Sequence, residues 1–550
     1  MMGKETKTNG SRVRRRAFLA ATATGLGALT LGPFIHRSRP SSFTGGIVGG
    51  NRTLGHALRD GKLPRPSRTE DVAIVIVGGG ISGLAAGRKL HRSGFNDFQI
   101  LELESRPGGN ALSGRNKVSS FPWGAHYVPI VGSDATEVSG LFEELGVITG
   151  RTSNGSAIYR EEFLCADPME RLFIHGRWQE GLVPQIGLSL KDRQIIESFF
   201  AEMQRFKSAR GFDGRRAFTI PVDASSRDPQ FTRFDAINMA SYLQSNGWLA
   251  CEPLRWYVNY CCRDDYGAGI DQISGWAGIH YFASRDGQAA NASENAVVTW
   301  PEGNGWFVQK IKSDFVQNIR PSCAVWNVEP DKDAIIVDAY DAQNRESICI
   351  RTRGVVWAAP RFIAHHVIPS LRQTEVKVDY SPWMVANLTV NNLPDNLGIS
   401  ETWDNVLHES NSLGYVMATH QSLGPAPKNT VLTYYQPLDS DSPSAAREHA
   451  LNQSYEGWCD QIFADLERAH PNLRKHVAHL DVWLWGHAMV RPVTGFIWSS
   501  QREQMQPSIG NIVFAHSDAS GIAIFEEAYT RGTQAATELL LKLNMNVPKV

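Results

Sequence analysis

The chain has 550 residues, with 55 basic and 56 acidic side chains for a formal net charge of −1, and 42% of its residues are apolar. This balance excludes a disordered chain and argues against a general nucleic-acid binder, which carries a basic excess. Seven cysteines are too few for a disulfide scaffold, and the repeated apolar runs of a polytopic membrane protein are absent.

Residues 1–16 are basic and polar, and Arg15-Arg16-Ala17-Phe18-Leu19 opens an apolar stretch to about Ile35. A charged segment ahead of a moderately apolar one reads as an export signal over 1–35. It resembles a twin-arginine signal, which implies the twin-arginine machinery as a partner. The expected location is periplasmic or otherwise extracytoplasmic, with a membrane anchor if the signal is retained. The cysteines are scattered, and Cys261-Cys262 reads as a pair of small buried apolar residues. Residues 36–69 are rich in Ser, Gly, Arg and Pro and read as a linker, in which His56–Gly61 is placed to dock on the body that follows.

Val72–Val77 is an apolar, mostly β-branched run, the pattern of a buried strand. Gly78-Gly79-Gly80-Ile81-Ser82-Gly83 follows and fits G-x-G-x-x-G, then Leu84–Leu90 has helical spacing. Gln99–Glu102 is a second short strand, and its terminal acid stands about 20 residues after Gly83. Each part has a mechanical role. Gly78 permits the turn, Gly80 lets the backbone approach a pyrophosphate, and Gly83 lets the helix pack on the strand. The helix N-terminus around Ser82 offers N–H groups to phosphate, and Glu102 offers oxygens to the ribose hydroxyls while repelling a 2′-phosphate. Strand, glycines, helix, strand and acid in this order predict a dinucleotide site. Further along, Leu190–Lys207 is predicted helical with Ser189 as N-cap, Ala386–Val390 and Val431–Tyr435 as strands, and Ala445–Ala469 as one helix.

The residues after the second strand carry a resemblance. Leu101-Glu102-Leu103-Glu104-Ser105-Arg106-Pro107-Gly108-Gly109-Asn110 resembles the L-E-x-x-x-R-x-G-G-R extension of the flavin amine oxidase superfamily, with Asn110 in place of the closing Arg. Trp300–Trp306 resembles its P-x-G-G turn, Ala324–Val328 its adenine-side strand, and Gly354–Pro360 its D-x-V-V-x-A-x-P strand. Gly510–Asp518, Glu526-Glu527-Ala528 and Ala535-Ala536 resemble its C-terminal flavin segment, with His516 where the family has Gly. A looser likeness, through the H-x-L-R-D-G segment and His516-Ser517-Asp518-Ala519, points to bacterial spermidine dehydrogenases.

The resemblance implies an α/β fold: a Rossmann-type FAD-binding domain from residues 70–130, 296–372 and 500–550, interleaved with an α+β substrate domain from 131–295 and 373–499. It implies FAD as cofactor, held by Gly78, Gly80, Ser82, Gly83, Glu102, Arg106, Gly108, Gly109, Val325, Asp518, Phe525 and Glu526. His126, Tyr127 and His487 are the candidate catalytic residues, the first two because the family chain passes beside the ring there. Asp264, Asp265, Glu526 and Glu527 are candidate partners for a cationic amine. Among the aromatic groups, Trp256, Tyr257, Tyr260, Tyr266, Trp276 and Tyr281 cluster in sequence, as do Trp483, Trp485, Phe496 and Trp498; most are expected in the core. No metal-ligand spacing is present. Many amine oxidases of this superfamily place a Lys beside the flavin; the matching stretch here, Trp383–Asn387, has none, and Lys377 lies ahead of it. The expected function is hydride transfer from a substrate C–H to FAD, with an amine or polyamine as substrate and an acceptor other than oxygen. The alternatives are a flavin-dependent desaturase or isomerase of a polyene or porphyrin-like substrate, and a non-catalytic FAD-containing envelope protein.

Overall fold

A five-stranded parallel sheet carries the glycine-rich turn. Its strands lie in the order Ile319–Arg320, Phe98–Leu101, Ile74–Val77, Gly354–Trp357, Ile512–Phe514. The first of these five in chain order, Ile74–Val77, sits in the middle and is buried along its whole length, as its unbroken apolar run requires. The strand order reverses between Ile74–Val77 and Gly354–Trp357, so a crevice opens at their carboxyl ends. The structure is a computed structural model that describes residues 43–373, 377–394, 397–422 and 428–545. The stretch read as an export signal lies outside them. No helix among the described residues is long and apolar enough to cross a membrane.

Helix Ile81–Arg92 leaves the glycine-rich turn and packs on the C-terminal helix Phe525–Lys542. The contact is backbone-close at Gly532, where an added Cβ would lie 2.1 Å from the carbonyl oxygen of Ser82. Cys323–Asp331, Ala334–Asp341 and Glu346–Thr352 form an antiparallel meander beside this sheet.

A second large sheet has eight strands, in the order Thr44–Val48, Val477–Val490, Tyr380–Asn391, Asn429–Pro437, Tyr415–Met417, Asp404–Leu407, Glu170–Ile174, Arg177–Glu180. The strands expected at 386–390 and 431–435 are neighbours in it, paired antiparallel. Helices Leu190–Ser208, Met239–Ser245, Glu252–Tyr266 and Gly275–Ala283 share one apolar core around Phe199, Phe218 and Trp276. Ser189 caps the first, in a reciprocal capping box with Asp192. Helix Glu252–Tyr266 ends at Gly267, whose left-handed φ of 65° turns the chain under Ser381 and Trp383.

Two expectations need correction. The predicted helix 445–469 is two helices, Pro443–Asn452 and Tyr455–Leu466, because Gln453 is extended and Ser454 caps the second by accepting from the Gly457 N–H at 3.1 Å. The segment read as a linker is also structured in part. Thr44–Val48 adds a parallel edge strand to Val477–Val490, Arg52–Arg59 is a helix, and Arg68–Asp71 pairs with Glu346–Thr352. Edge pairing uses backbone groups and needs no alternating apolar pattern, so composition alone hides it. Cys261 and Cys262 are buried free thiols, as their reading implied.

Candidate active site

The crevice at the strand reversal encloses about 1540 Å³ of space, part of it open to solvent. Gly78, Gly80, Ser82, Glu102, Gly108 and Gly109 line it, with Val325 on the meander side and Phe525 at the far end. The glycines are required by shape. Gly78 has φ 102°, and a Cβ on Gly83 would lie 1.9 Å from the Gly78 carbonyl oxygen. Gly108 and Gly109 also take positive φ, and a Cβ on Gly109 would lie 3.1 Å from Cα of Gly80. Helix Ile81–Arg92 starts on Gly80 with no side-chain cap, leaving its first N–H groups for an anion. Glu102 is buried and accepts from the N–H groups of Gly79 and Glu104, each at 2.7 Å. Burial pushes its carboxyl up to about 7 against those two bonds. An elongated cavity with an anion-binding helix start, an acid beside it and an apolar strand beyond fits a dinucleotide such as FAD.

Four predicted cofactor residues stand elsewhere, and one of them, Glu526, lines the neighbouring cavity described below. Gly83 packs the turn without lining the cavity. Arg106 is exposed and lies outside the lining. Asp518 is buried behind the wall formed by His516 and Ser517. Its carboxylate takes the Arg361 N–H and the Tyr380 hydroxyl, both at 2.6 Å, and lies 3.1 Å from His516 Nδ1. These partners hold its pKa below the usual carboxylate value despite burial. Asp518 therefore braces the start of helix Arg361–Val367 against strand Tyr380–Asn391, a positioning role in place of direct contact.

A second cavity, enclosing about 1070 Å³ of space that is partly open to solvent, meets the first at a shared wall that includes Asn110, Ala125, Asn304, Trp485, Ile524 and Phe525. Ile524 and Phe525 begin the C-terminal helix, whose uncapped N-terminus faces this junction. Asn110, where the superfamily has Arg, donates from Nδ2 to the Ala488 carbonyl and ties two parts of the wall together. Asn304 is 1% exposed and donates from Nδ2 to the Tyr127 carbonyl at 3.1 Å, while its Oδ1 has no partner among the described residues. Trp485 Nε1 donates to the Trp123 carbonyl at 2.7 Å, and its ring stacks on Trp483 at 5.0 Å.

The second cavity combines apolar and acidic walls. Trp383, Val385, Leu413, Val416 and Met489 supply the first; Asp264, Asp265, Asp404 and Glu526 supply the second. Arg285 faces them and binds both oxygens of Asp265 at 2.9 Å. Among the described residues, no cation is hydrogen-bonded to Asp264, Asp404 or Glu526. Tyr127 donates its hydroxyl to Asp264 at 3.3 Å, and Tyr260 donates to Asp404 at 3.4 Å. Burial, then the neighbouring Asp265, raises Asp264 to about 7; burial raises Glu526 to about 7. Asp404 is raised well above the ordinary range by burial, with Glu170 and Asp264 adding to it. A third cavity, partly open to solvent, continues from Tyr127, Asp264 and Asp404 past Glu170, Glu180 and Glu294.

Of the candidate catalytic residues, His126 and Tyr127 line the second cavity. The His126 ring stacks on Tyr435 at 4.6 Å between centroids, and its Nδ1 lies 3.2 Å from the Gly124 carbonyl oxygen. Burial lowers its pKa to about 4, so the ring is neutral at pH 7. His487 is not with them: it lies in the wall of the cofactor cavity, stacked on Phe362 at 4.3 Å. Glu527 turns away to accept from the Val222 N–H at 2.5 Å. Tyr260 and Trp485 line the second cavity and Tyr257 and Tyr281 the third, whereas Tyr266 and Trp276 are core. Asp404, Arg285, Glu170 and Asn304 were not singled out from the sequence. Asp404 and Glu170 reach the site on strands of the second sheet, and no motif connects them to Asp264.

Residues 76–145 match the NAD(P)-binding Rossmann-like domain family. Over 77 residues the chain is 43% identical to amine oxidase [flavin-containing] B of Homo sapiens, a stretch that spans 14% of each chain. It is 40% identical over 82 residues to the same enzyme of Cavia porcellus, 15% of each. Among solved structures, putrescine oxidase bound to putrescine aligns over 86% of this chain and all of its own, with TM-score 0.62 and 15% identity. Cyclohexylamine oxidase from Brevibacterium oxydans aligns over the same share with TM-score 0.61 and 14% identity. A fatty acid isomerase from P. acnes aligns over 85% of this chain with TM-score 0.57 and 14% identity. The local sequence match and the fold match over most of the chain bear out the flavin amine oxidase likeness and the α/β, Rossmann-type class read from the motifs.

Proposed function

We propose that this chain, with its flavin amine oxidase-like fold, is an FAD-dependent oxidoreductase that takes a hydride from a C–H bond of an amine. The observation that carries the reading is the junction of the two cavities at Trp485 and Phe525, one shaped for a dinucleotide and the other lined by acids in excess of cations. FAD, when bound, supplies the hydride-accepting ring. The glycine-rich turn and the start of helix Ile81–Arg92 would hold its pyrophosphate, Glu102 a ribose, and Val325 the adenine side. The N-terminus of helix Phe525–Lys542 favours negative charge at the junction. Trp485 keeps that junction apolar, and Tyr435 and Trp383 line the second cavity.

An ammonium must lose a proton before its neighbouring C–H can give a hydride. Asp264 and Glu526, both held near 7, are matched to take that proton. His126, held near 4, is the poorer base and serves better as a flat neutral wall. The acids leading outward through Asp404 and Glu170 support a substrate with more than one positive charge, in line with the looser likeness to spermidine dehydrogenases. Trp383–Asn387 has no Lys, and none lines either of the first two cavities among the described residues, which supports a dehydrogenase with a separate electron acceptor. The N-terminal sequence supports export by the twin-arginine route.

Anaerobic mixing of the purified holoprotein with polyamines, monoamines, amino acids and polyenes tests the reading. Polyamines should bleach the flavin band fastest; a band bleached by no amine would overturn it. The apolar wall of Trp383, Val385 and Leu413 supports a second reading, an isomerase or desaturase of an apolar substrate, which turnover of polyenes alone would establish.

A further inference from the structure

We propose that residues 49–59, upstream of the first buried strand, belong to the cofactor site and retain the adenosine end of FAD. The proposal rests on the FAD reading above. Gly55 and Leu58 of helix Arg52–Arg59 line the cofactor cavity together with Glu102, Leu103 and Val325. Leu58 packs on the apolar cluster beneath strand Cys323–Asp331.

The helix is pinned at both sides of its entry turn. The Asn51 N–H donates to both oxygens of Glu104, at 2.8 and 3.1 Å, and the Asn51 side chain caps the helix by accepting from the Leu54 N–H at 3.2 Å. The Glu104 N–H in turn donates to Glu102 at 2.7 Å. The anchor of this segment and the acid assigned to the ribose are thus one hydrogen-bonded unit. Just upstream, Gly49 takes φ 75° against the Trp483 ring, where a Cβ would lie 2.1 Å from a ring carbon. Beyond it, Thr44–Val48 is paired with Val477–Val490.

The lining is apolar at Leu58, Leu103, Ala324 and Val325 and polar at Glu102, the pattern that suits a flat purine with its ribose attached. Closing a wall over a bound group acts mainly on its escape rate. The segment is therefore a specific retention element for the nucleotide.

The test follows FAD release from the holoprotein by the recovery of flavin fluorescence after dilution. Leu58→Ser and Glu104→Ala should release FAD at least tenfold faster than the parent, and the exposed Lys62→Ala should leave the rate unchanged. Release of FAD from both variants at the parent rate would overturn the proposal while leaving the FAD reading intact. A parent protein that neither carries nor takes up flavin would overturn both. A second measurement needs no variant: trypsin should cut after Arg52 and Arg59 more slowly in the FAD-loaded parent than in the apoprotein, and equal rates would overturn the proposal.

Discussion

Replacing Asp264 by Asn separates what the acid cluster does for the ligand from what it does to the fold. The Asp264 carboxyl is buried beside Asp265 and Tyr127 and is raised from an ordinary value of 3.8 to about 7. Because the folded state holds this proton more tightly than the unfolded chain, the penalty is absent below pH 4. It grows between pH 4 and 7 and is constant above 7. A displacement of about three at roughly 1.4 kcal/mol each sets a ceiling of about 4 kcal/mol on the stability lost to ionisation. Relaxation and partial solvation reduce this, so a gain of about 1–3 kcal/mol is expected for Asp264→Asn at pH 8 and almost none at pH 4. The neutral amide also relieves Asp404, which Asp264 helps to raise. The same change removes a negative charge from the cavity that would receive an ammonium. Urea unfolding at pH 4 and pH 8, together with the amine dependence of anaerobic flavin reduction, reads both effects. The variant should be more stable than the parent at pH 8 and need at least tenfold more amine. Equal stability at both pH values with an unchanged amine dependence would show that Asp264 neither carries a costly buried charge nor meets the amine.

Glu102→Ala leaves the Gly79 and Glu104 N–H groups without their acceptor, a cost of about 1–3 kcal/mol. The flavin-to-protein absorbance ratio after gel filtration should fall at least tenfold, and an unchanged ratio would remove Glu102 from the site. Gly532→Ala forces a Cβ to within 2.1 Å of the Ser82 carbonyl oxygen, so the two helices must separate. Overpacking of this kind costs about 1–3 kcal/mol, and Tm should drop together with flavin retention, since Ser82 lines the cofactor cavity. A parent-like Tm would show that the helices have slack there.

The cofactor half of the site was legible because it is local. Strand, turn, helix and acid lie within one short stretch, and each glycine has a steric reason that leaves a mark in the sequence: φ at Gly78, close backbone approach at Gly83 and Gly109. Where the reading of that half departed from the structure, at Arg106 and Asp518, the outcome depends on the folded surroundings. Asp518 is claimed by Arg361 and Tyr380, from distant segments, before it can reach the cavity.

The acid-lined cavity belongs to tertiary structure. Asp264 stands at the end of a helix, Asp404 and Glu170 on strands of the eight-stranded sheet, and Glu526 at the start of the last helix. Each is an ordinary acid in sequence, and its raised pKa exists only because folding buries it among the others. The same holds for residues 43–60, which composition marks as a linker and which pairing with a sheet edge and with Glu104 turns into a wall of the cofactor cavity. The dinucleotide turn, the flavin-type extension and the α/β class follow from residue order alone, since backbone geometry at glycines and apolar periodicity are short-range constraints. Which acids share the cavity, which histidine faces it and what walls the cofactor cavity emerge only on folding, because burial and electrostatic proximity depend on residues hundreds of positions apart.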